Sequence, residues 1–192
     1  MSSPRILAFA GSSRRGSLNV RLLEVAAARA RELGAEVTVA DLRSLDLPLY
    51  DGDAEAEGGL PDGARRWKEL LGAHDGLLLA CPEYNGSLTP LLKNAIDWAS
   101  RPLPGEAPLA AFRGKVAALV AASPGALGGL RGLVVVRALL GNIGVHVVPE
   151  QFALGTAHQA FDEAGKLTAA RAPERVDAVV RQLVETTRRL HA

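Results

Sequence analysis

An α/β domain built on a parallel sheet, with helices on both faces, is the fold class this sequence predicts. Three observations point to it. Four short apolar runs, Ile6–Ala10, Gly76–Cys81, Val116–Ala122 and Val145–Val148, lack polar alternation, as strands covered on both faces do. Helical patterns separate them. The 192 residues, 48% hydrophobic and 22% charged, suffice for one well-buried domain spanning residues 1–192. Strands alternating with helices imply right-handed crossovers, which place helices on both sides of the sheet.

The elements follow in chain order. After the first strand, Leu18, Leu22, Val25, Ala26 and Leu33 share one helix face, and Gly34 ends that helix. Glu36–Ala40, rich in Val and Thr, is a fifth and weaker strand. Asp41–Pro61 reads as a long loop, and its acidic stretch Asp51–Glu57 as a solvated one. Trp67, Leu70 and Leu71 mark a short helix before Gly76–Cys81. Thr89-Pro90 has the form of an N-cap with Pro at the first helical position, opening a helix through Leu92, Ala95, Trp98 and Ala99. Pro102–Arg113 is a second long loop. A helix from Leu130 to Leu140 precedes the Val145–Val148 strand, and Gln151–Ala172 is a third loop. In the last helix, Val176, Val179, Val180, Leu183, Val184, Thr187 and Leu190 recur at steps of three and four. Loops this long are uncommon unless they cover a ligand or a partner. There is no internal repeat, and the pattern alone does not give the strand order.

Composition narrows the function. Lys plus Arg number 22 against 21 Asp plus Glu, so the chain lacks the basic bias of a nucleic-acid binder. Aromatics at 4% argue against a base- or sugar-stacking platform. The single cysteine, Cys81, cannot close an intrachain disulfide and reads as a small hydrophobe ending a buried strand. His74, His146, His158 and His191 have no ligand spacing, so no metal site is expected. Arg137 interrupts the longest apolar stretch, and Ile6–Ala10 is too short for a signal-peptide core. The expectation is a cytoplasmic protein with no membrane or nucleic-acid partner.

Open α/β sheets bind ligands beyond the carboxyl ends of their strands, so the loops leaving the first, third and fourth strands carry the chemistry. The first runs Gly11-Ser12-Ser13-Arg14-Arg15-Gly16-Ser17-Leu18-Asn19 into a helix. Backbone N–H groups, hydroxyls and guanidinium at a helix N-terminus suit a phosphate group. It lacks both the Gly-Lys-Ser/Thr ending of a P-loop and the G-x-G-x-x-G dinucleotide fingerprint, so a monophosphate is the better ligand, ahead of an ordinary capped turn. In the second loop, Pro82 ends the strand, Tyr84 supplies an aromatic edge, Asn85-Gly86 makes a turn, and Gly86 lets the backbone approach a flat ligand. Glu83 reads as an exposed loop carboxylate ahead of a proton donor. The third loop, Ser123–Gly129, offers backbone donors from its three glycines.

Taken together, GSSRRGSLN, PEYNGSLTPLLKNAIDW and SPGALGG resemble the NADPH-dependent FMN reductase family, the flavodoxin-like quinone, azo-dye and chromate reductases. The likeness covers nearly the whole chain. It implies a flavodoxin-like three-layer sandwich around a five-stranded parallel sheet of order 2-1-3-4-5. It also implies noncovalent FMN and ping-pong hydride transfer from NADPH or NADH, through the flavin, to a small-molecule acceptor. Carried over, the segment from Ser12 through Asn19, Leu18 included, holds the FMN phosphate, with Ser12, Arg14, Ser17 and Asn19 as side-chain partners. Pro82, Glu83, Tyr84 and Asn85 line the isoalloxazine and ribityl region, and Ser123 closes the far side. Gly86 stands where relatives often carry an aromatic residue, which implies a wider pocket.

The cofactor carries the redox chemistry, so no catalytic side chain is nominated. The resemblance further implies a homodimer or homotetramer in which the helix after PEYNG meets its twin. Trp98 on that helix is expected at the dimer contact, and Lys93 and Asp97 as a local ion pair. The alternatives are a flavodoxin-like electron carrier or a flavin-binding sensor without NAD(P)H oxidation. Carriers are typically acidic with aromatics flanking the ring; a net charge of +1 with two Tyr and two Trp opposes that.

Overall fold

A computed structural model describes residues 3–191. Five strands, β1 (Arg5–Ala10), β2 (Glu36–Ala40), β3 (Gly76–Ala80), β4 (Val116–Ala122) and β5 (His146–Leu154), form one parallel sheet of order β2-β1-β3-β4-β5. Six helices surround it: α1 (Leu18–Glu32), α2 (Gly52–Gly58), α3 (Asp62–Gly72), α4 (Pro90–Ser100), α5 (Leu130–Asn142) and α6 (Ala172–Leu190). The chain leaves β1 toward β2 and then crosses back to β3, so the loops after β1 and β3 diverge and leave a crevice between them. The five strands and their order are those expected from the sequence and the family resemblance.

Strand alternation explains the unbroken apolar runs. Ile6, Ala8, Leu78, Ala80, Ala118 and Val120 face one core with α1 and α6, while Leu7, Phe9, Leu77, Leu79, Ala117 and Leu119 face the other with α3, α4 and α5. Both faces are buried, so no polar residue fits in β3 or β4. The edge strand β2 is half-exposed and correspondingly mixed.

Three expectations need correction. Asp41–Pro61 is not a bare loop: Asp41 caps a 3-10 turn over Leu42–Leu45, and Asp51 accepts from the N–H groups of Asp53 and Ala54 to start α2. α2 buries no residue and has no apolar face, so periodicity could not reveal it. Its Glu55 is tethered by the Tyr50 hydroxyl at 2.9 Å and by Arg101 Nε at 2.8 Å, so the acidic stretch is a pinned helix.

Next, β5 continues to Leu154, shortening the third loop. Its register against β4 slips between Ala117 and Leu119, at the segment holding Pro149. Arg137 donates to Val147 O, Pro149 O and Gln151 Oε1 there, supplying partners for the irregular backbone. Among the described residues no helix is long and apolar enough to cross a membrane.

Finally, Trp98 is buried within its own chain. Its indole N–H donates to Pro48 O at 2.7 Å, and its ring meets Tyr50 edge-on at 5.1 Å. A second copy cannot use it as an anchor. The ion pair expected on the same helix does form, with Lys93 Nζ 2.7 Å from Asp97.

Candidate functional site

The carboxyl end of β1 runs directly into the first loop. Gly11 lies against α4, where an added Cβ would sit 2.9 Å from Leu92 Cβ. The Thr89 hydroxyl, which caps α4, also donates to Gly11 O at 2.6 Å. One threonine therefore starts α4 and buttresses the first loop from below. The sequence signalled only its capping role.

Ser17 caps α1, its Oγ accepting from Val20 N–H at 3.4 Å. Gly16 before it takes φ +66°, a left-handed conformation that favours glycine. The N–H groups of Leu18 and Asn19 have no acceptor among the described residues. The Arg14 and Arg15 guanidinium groups likewise have no partner there; the one bond near them runs from Arg14 N–H to Ser12 Oγ. Free N–H groups at a helix start, two hydroxyls and an unpaired guanidinium make an anion cradle.

Asn19 has a further task. Its Nδ2 donates to Ala122 O at 2.8 Å and its Oδ1 accepts from Ala122 N–H at 3.0 Å. This paired contact pins the start of α1 to the end of β4, and leaves only one amide N–H for any ligand.

The second loop is a tight hairpin. Tyr84 and Ser87 exchange both backbone hydrogen bonds at 3.0 Å, and Asn85 (φ +53°) and Gly86 (φ +81°) occupy the two left-handed positions between them. That is the type I′ turn for which Asn-Gly is the preferred pair. Glu83 departs from expectation: it is not an exposed loop carboxylate. Its Oε1 accepts from Arg131 and its Oε2 from Gly132 N–H at 3.0 Å, which ties the loop to the start of α5. Burial alone would raise this carboxyl, but the Gly132 N–H and the Arg131 guanidinium outweigh it and hold Glu83 below the ordinary range. A carboxylate so held is poorly suited to donate a proton. Cys81 is fully buried, and that burial pushes its thiol up, as befits a hydrophobe rather than a redox thiol.

In the third loop, only Ser123 and Pro124 reach the crevice. The glycines serve close packing more than ligand donation. A Cβ on Gly128 would lie 2.6 Å from the Leu154 carbonyl carbon, and one on Gly155 would lie 2.3 Å from Ala126 O. The loop is thereby seated against the end of β5.

These three loops enclose a cavity of about 130 Å3. Of the residues expected from the sequence, Ser12, Arg14, Ser17, Leu18, Asn19, Pro82, Glu83, Tyr84 and Ser123 line it. Asn85 and Gly86 do not; they form the turn beyond it. Gly16, Ala122 and Pro124 complete the wall without having been singled out, although Gly16 and Pro124 lay within the loops that were. Tyr84 is 45% exposed at the rim, where it offers an aromatic face. Among the described residues no three His, Cys, Asp or Glu side chains gather as a metal site would require.

Comparison with known proteins follows the same lines. Residues 4–159 match the family described as NADPH-dependent FMN reductase. The chain is 37% identical over 187 residues to an NAD(P)H-dependent FMN reductase of Pseudomonas aeruginosa (PA1204), covering 97% of this chain and 96% of that one. It is 34% identical over 166 residues to a probable NADPH:quinone oxidoreductase of Oryza sativa, covering 85% and 78%. Among solved structures it is similar to FerB, a flavoenzyme NAD(P)H:(acceptor) oxidoreductase from Paracoccus denitrificans, with a TM-score of 0.81, 28% identity, and coverage of 97% and 98%.

Proposed function

This chain belongs to the NADPH-dependent FMN reductase family, and from that premise we propose how its cleft works. The protein is an oxidoreductase that uses FMN and NAD(P)H. Its acceptor is a small molecule: a quinone, a free flavin, an azo compound or an oxidised metal ion such as chromate. The observation that carries the reading is the unpartnered donor set at the start of α1, facing a cavity closed by the loops after β3 and β4.

The residues present fit the cofactor. Arg14, the Ser12 and Ser17 hydroxyls, and the Leu18 and Asn19 N–H groups hold its phosphate. Pro82 and Tyr84 supply apolar and aromatic surface to its ring system, with Asn85 and Gly86 at the outer turn and Ser123 on the opposite side. When bound, FMN supplies the redox chemistry, accepting hydride from NAD(P)H and passing reducing equivalents to the acceptor. The chain contributes binding and orientation. Glu83, by anchoring the second loop to α5, keeps that loop's backbone in place. Asn19 does the same for the wall between α1 and β4.

The reading extends to a single domain over residues 1–192, a cytoplasmic setting, and a homodimer or homotetramer. Exposed Leu130 and Val134, one turn apart on α5, offer apolar surface that favours assembly. The test is the visible spectrum of protein mixed with FMN, desalted, and then treated anaerobically with NADPH. Retained yellow colour that bleaches, and returns on adding a quinone, is the expected result. Colour that neither NADPH nor NADH bleaches points to a carrier or sensor. Colourless protein shows that the cradle serves another anion.

A further inference from the structure

The phosphate loop separates two cavities. Behind it, away from the flavin side, lies a larger one of about 480 Å3. Its floor is apolar, formed by Val20 and Leu23 of α1 and by Val39 and Ala40 at the end of β2. Val39 is 49% exposed, unusual for a strand valine and available to a ligand's apolar face.

The charges around this floor are not equivalent. Arg43 is bound to Asp41, its NH2 3.1 Å from Oδ2, and donates to Ser13 O at 3.2 Å. Arg21 donates to Asp162 O and lies 4.4 Å over the Phe161 ring. The Asp41 carboxylate accepts from both the Arg43 guanidinium and the Arg43 N–H, so it is neutralised and turned to its own capping task. Around this cavity the guanidinium groups of Arg14 and Arg15 and the carboxylate of Glu24 on α1 remain without partners among the described residues. Arg14 lines both cavities, whereas Arg15 lines only the larger one. The loop thus offers one unpaired cation to the smaller cavity and two to the larger.

We propose that the larger cavity receives the adenosine end of NADPH, with Arg15 on the 2′-phosphate and the base against Val39. This rests on the reductase reading above and adds to it a location and a preference for NADPH over NADH. The spacing allows it. β2 and β3 are two strand positions apart, roughly 10 Å across the sheet. An extended dinucleotide with its adenosine beyond β2 spans that distance to a nicotinamide over the flavin loops. The charge pattern favours the phosphorylated ribose. A free carboxylate at the end of the second strand suits an unphosphorylated ribose, while an arginine nearby suits the 2′-phosphate. Here the carboxylate at the end of β2, Asp41, is already engaged and Arg15 is free, while the cavity's other carboxylate, Glu24, stands on α1 rather than at the strand end.

The test uses FMN-loaded protein. Calorimetric titration with adenosine 2′,5′-bisphosphate should show binding at least about tenfold tighter than with AMP. Arg15→Ala should remove that difference. Val39→Glu, which sets a carboxylate on the exposed floor, should weaken bisphosphate binding by about tenfold or more. In both variants the ratio of kcat/KM for NADPH to that for NADH should fall about tenfold, through KM for NADPH. Equal binding of bisphosphate and AMP, or an unchanged ratio in both variants while NADPH still bleaches the flavin, overturns this assignment and leaves the reductase intact. A flavin that neither nucleotide reduces overturns the reductase reading and this assignment with it.

Discussion

The two ends of the sheet both carry charge and treat it oppositely. At the amino end, Arg5 holds Asp75 through guanidinium bonds of 2.8 and 3.1 Å. Lys115 donates to His74 O, and the two ring nitrogens of His74 meet Leu70 O and Thr38 Oγ1 at 2.6 and 2.8 Å. Burial lowers the Lys115 pKa, yet its ammonium keeps a backbone acceptor. At the carboxyl end, Arg14, Arg15 and the first N–H groups of α1 have no partner among the described residues. Buried groups are ordinarily satisfied within the fold, whereas exposed ones are left to solvent or to a ligand. Charge alone therefore does not locate the site; unpartnered arginine beside the free N–H groups of a helix start, on the wall of a cavity, does.

Asn19 offers the largest way to break this comparison, because it sits at the carboxyl end but is bonded like the amino end. Asn19→Ala deprives both backbone groups of Ala122 of their partner at the end of a strand buried throughout. Leaving them unmet should cost about 2–4 kcal/mol, read by urea unfolding of FMN-free protein. An unchanged midpoint would mean that the amide is no clamp and would move Asn19 to the ligand-binding set.

Arg14→Ala should do the reverse. With no internal partner to lose, the FMN-free protein should keep its stability within about 0.5 kcal/mol. FMN should bind about tenfold or more weakly, measured by quenching of flavin fluorescence, since one charge-assisted contact to phosphate is removed. Stability that falls in step with affinity would show that Arg14 is structural, and the contrast between the two ends would fail.

How much of this was legible depends on which physical signal each element carried. β1, β3 and β4 were plain because burial on both faces forces an unbroken apolar run. The far half of β5 was hidden, since an edge strand with a proline-bearing irregularity has neither a run nor an alternation. α2 was hidden because it buries nothing. The cleft's lining was largely legible, because the residues that make a helix start, a sharp turn or a run of free donors are local in sequence. Long-range partners were not. Nothing in the sequence places Glu83 on Arg131, Asn19 on Ala122 or Trp98 on Pro48, because those pairings depend on how elements pack. Packing likewise decides that Arg14 lines both cavities whereas its sequence neighbour Arg15 lines only the larger one.

The smallest effect should come from the amino end, through Asp75→Asn. The Arg5 guanidinium holds the Asp75 carboxyl below the usual carboxylate range against the opposing effect of burial. A depressed folded-state pKa contributes stability that is present above the unfolded value, about 3.9, and is lost as pH falls through the folded value. Asp75→Asn should therefore lower the melting temperature at pH 7, by about 2 °C or less because the Arg5 side chain is half exposed and screened. The gap should begin to narrow as pH drops below about 4 and close once pH falls through the lowered folded-state value, where the wild-type carboxylate protonates and loses the same attraction. It should also shrink in 1 M salt, roughly as a Debye length of 3 Å demands. The backbone bonds from Asp75 N–H to Arg5 O and from Val116 N–H to Asp75 O survive the substitution, so the strand pairing itself should not change. Melting curves of both proteins from pH 2.5 to 7 decide the matter. A gap that stays constant to pH 2.5 would mean that hydrogen-bond geometry rather than charge joins the two residues. The partnered end of the sheet would then differ from the open end in packing alone.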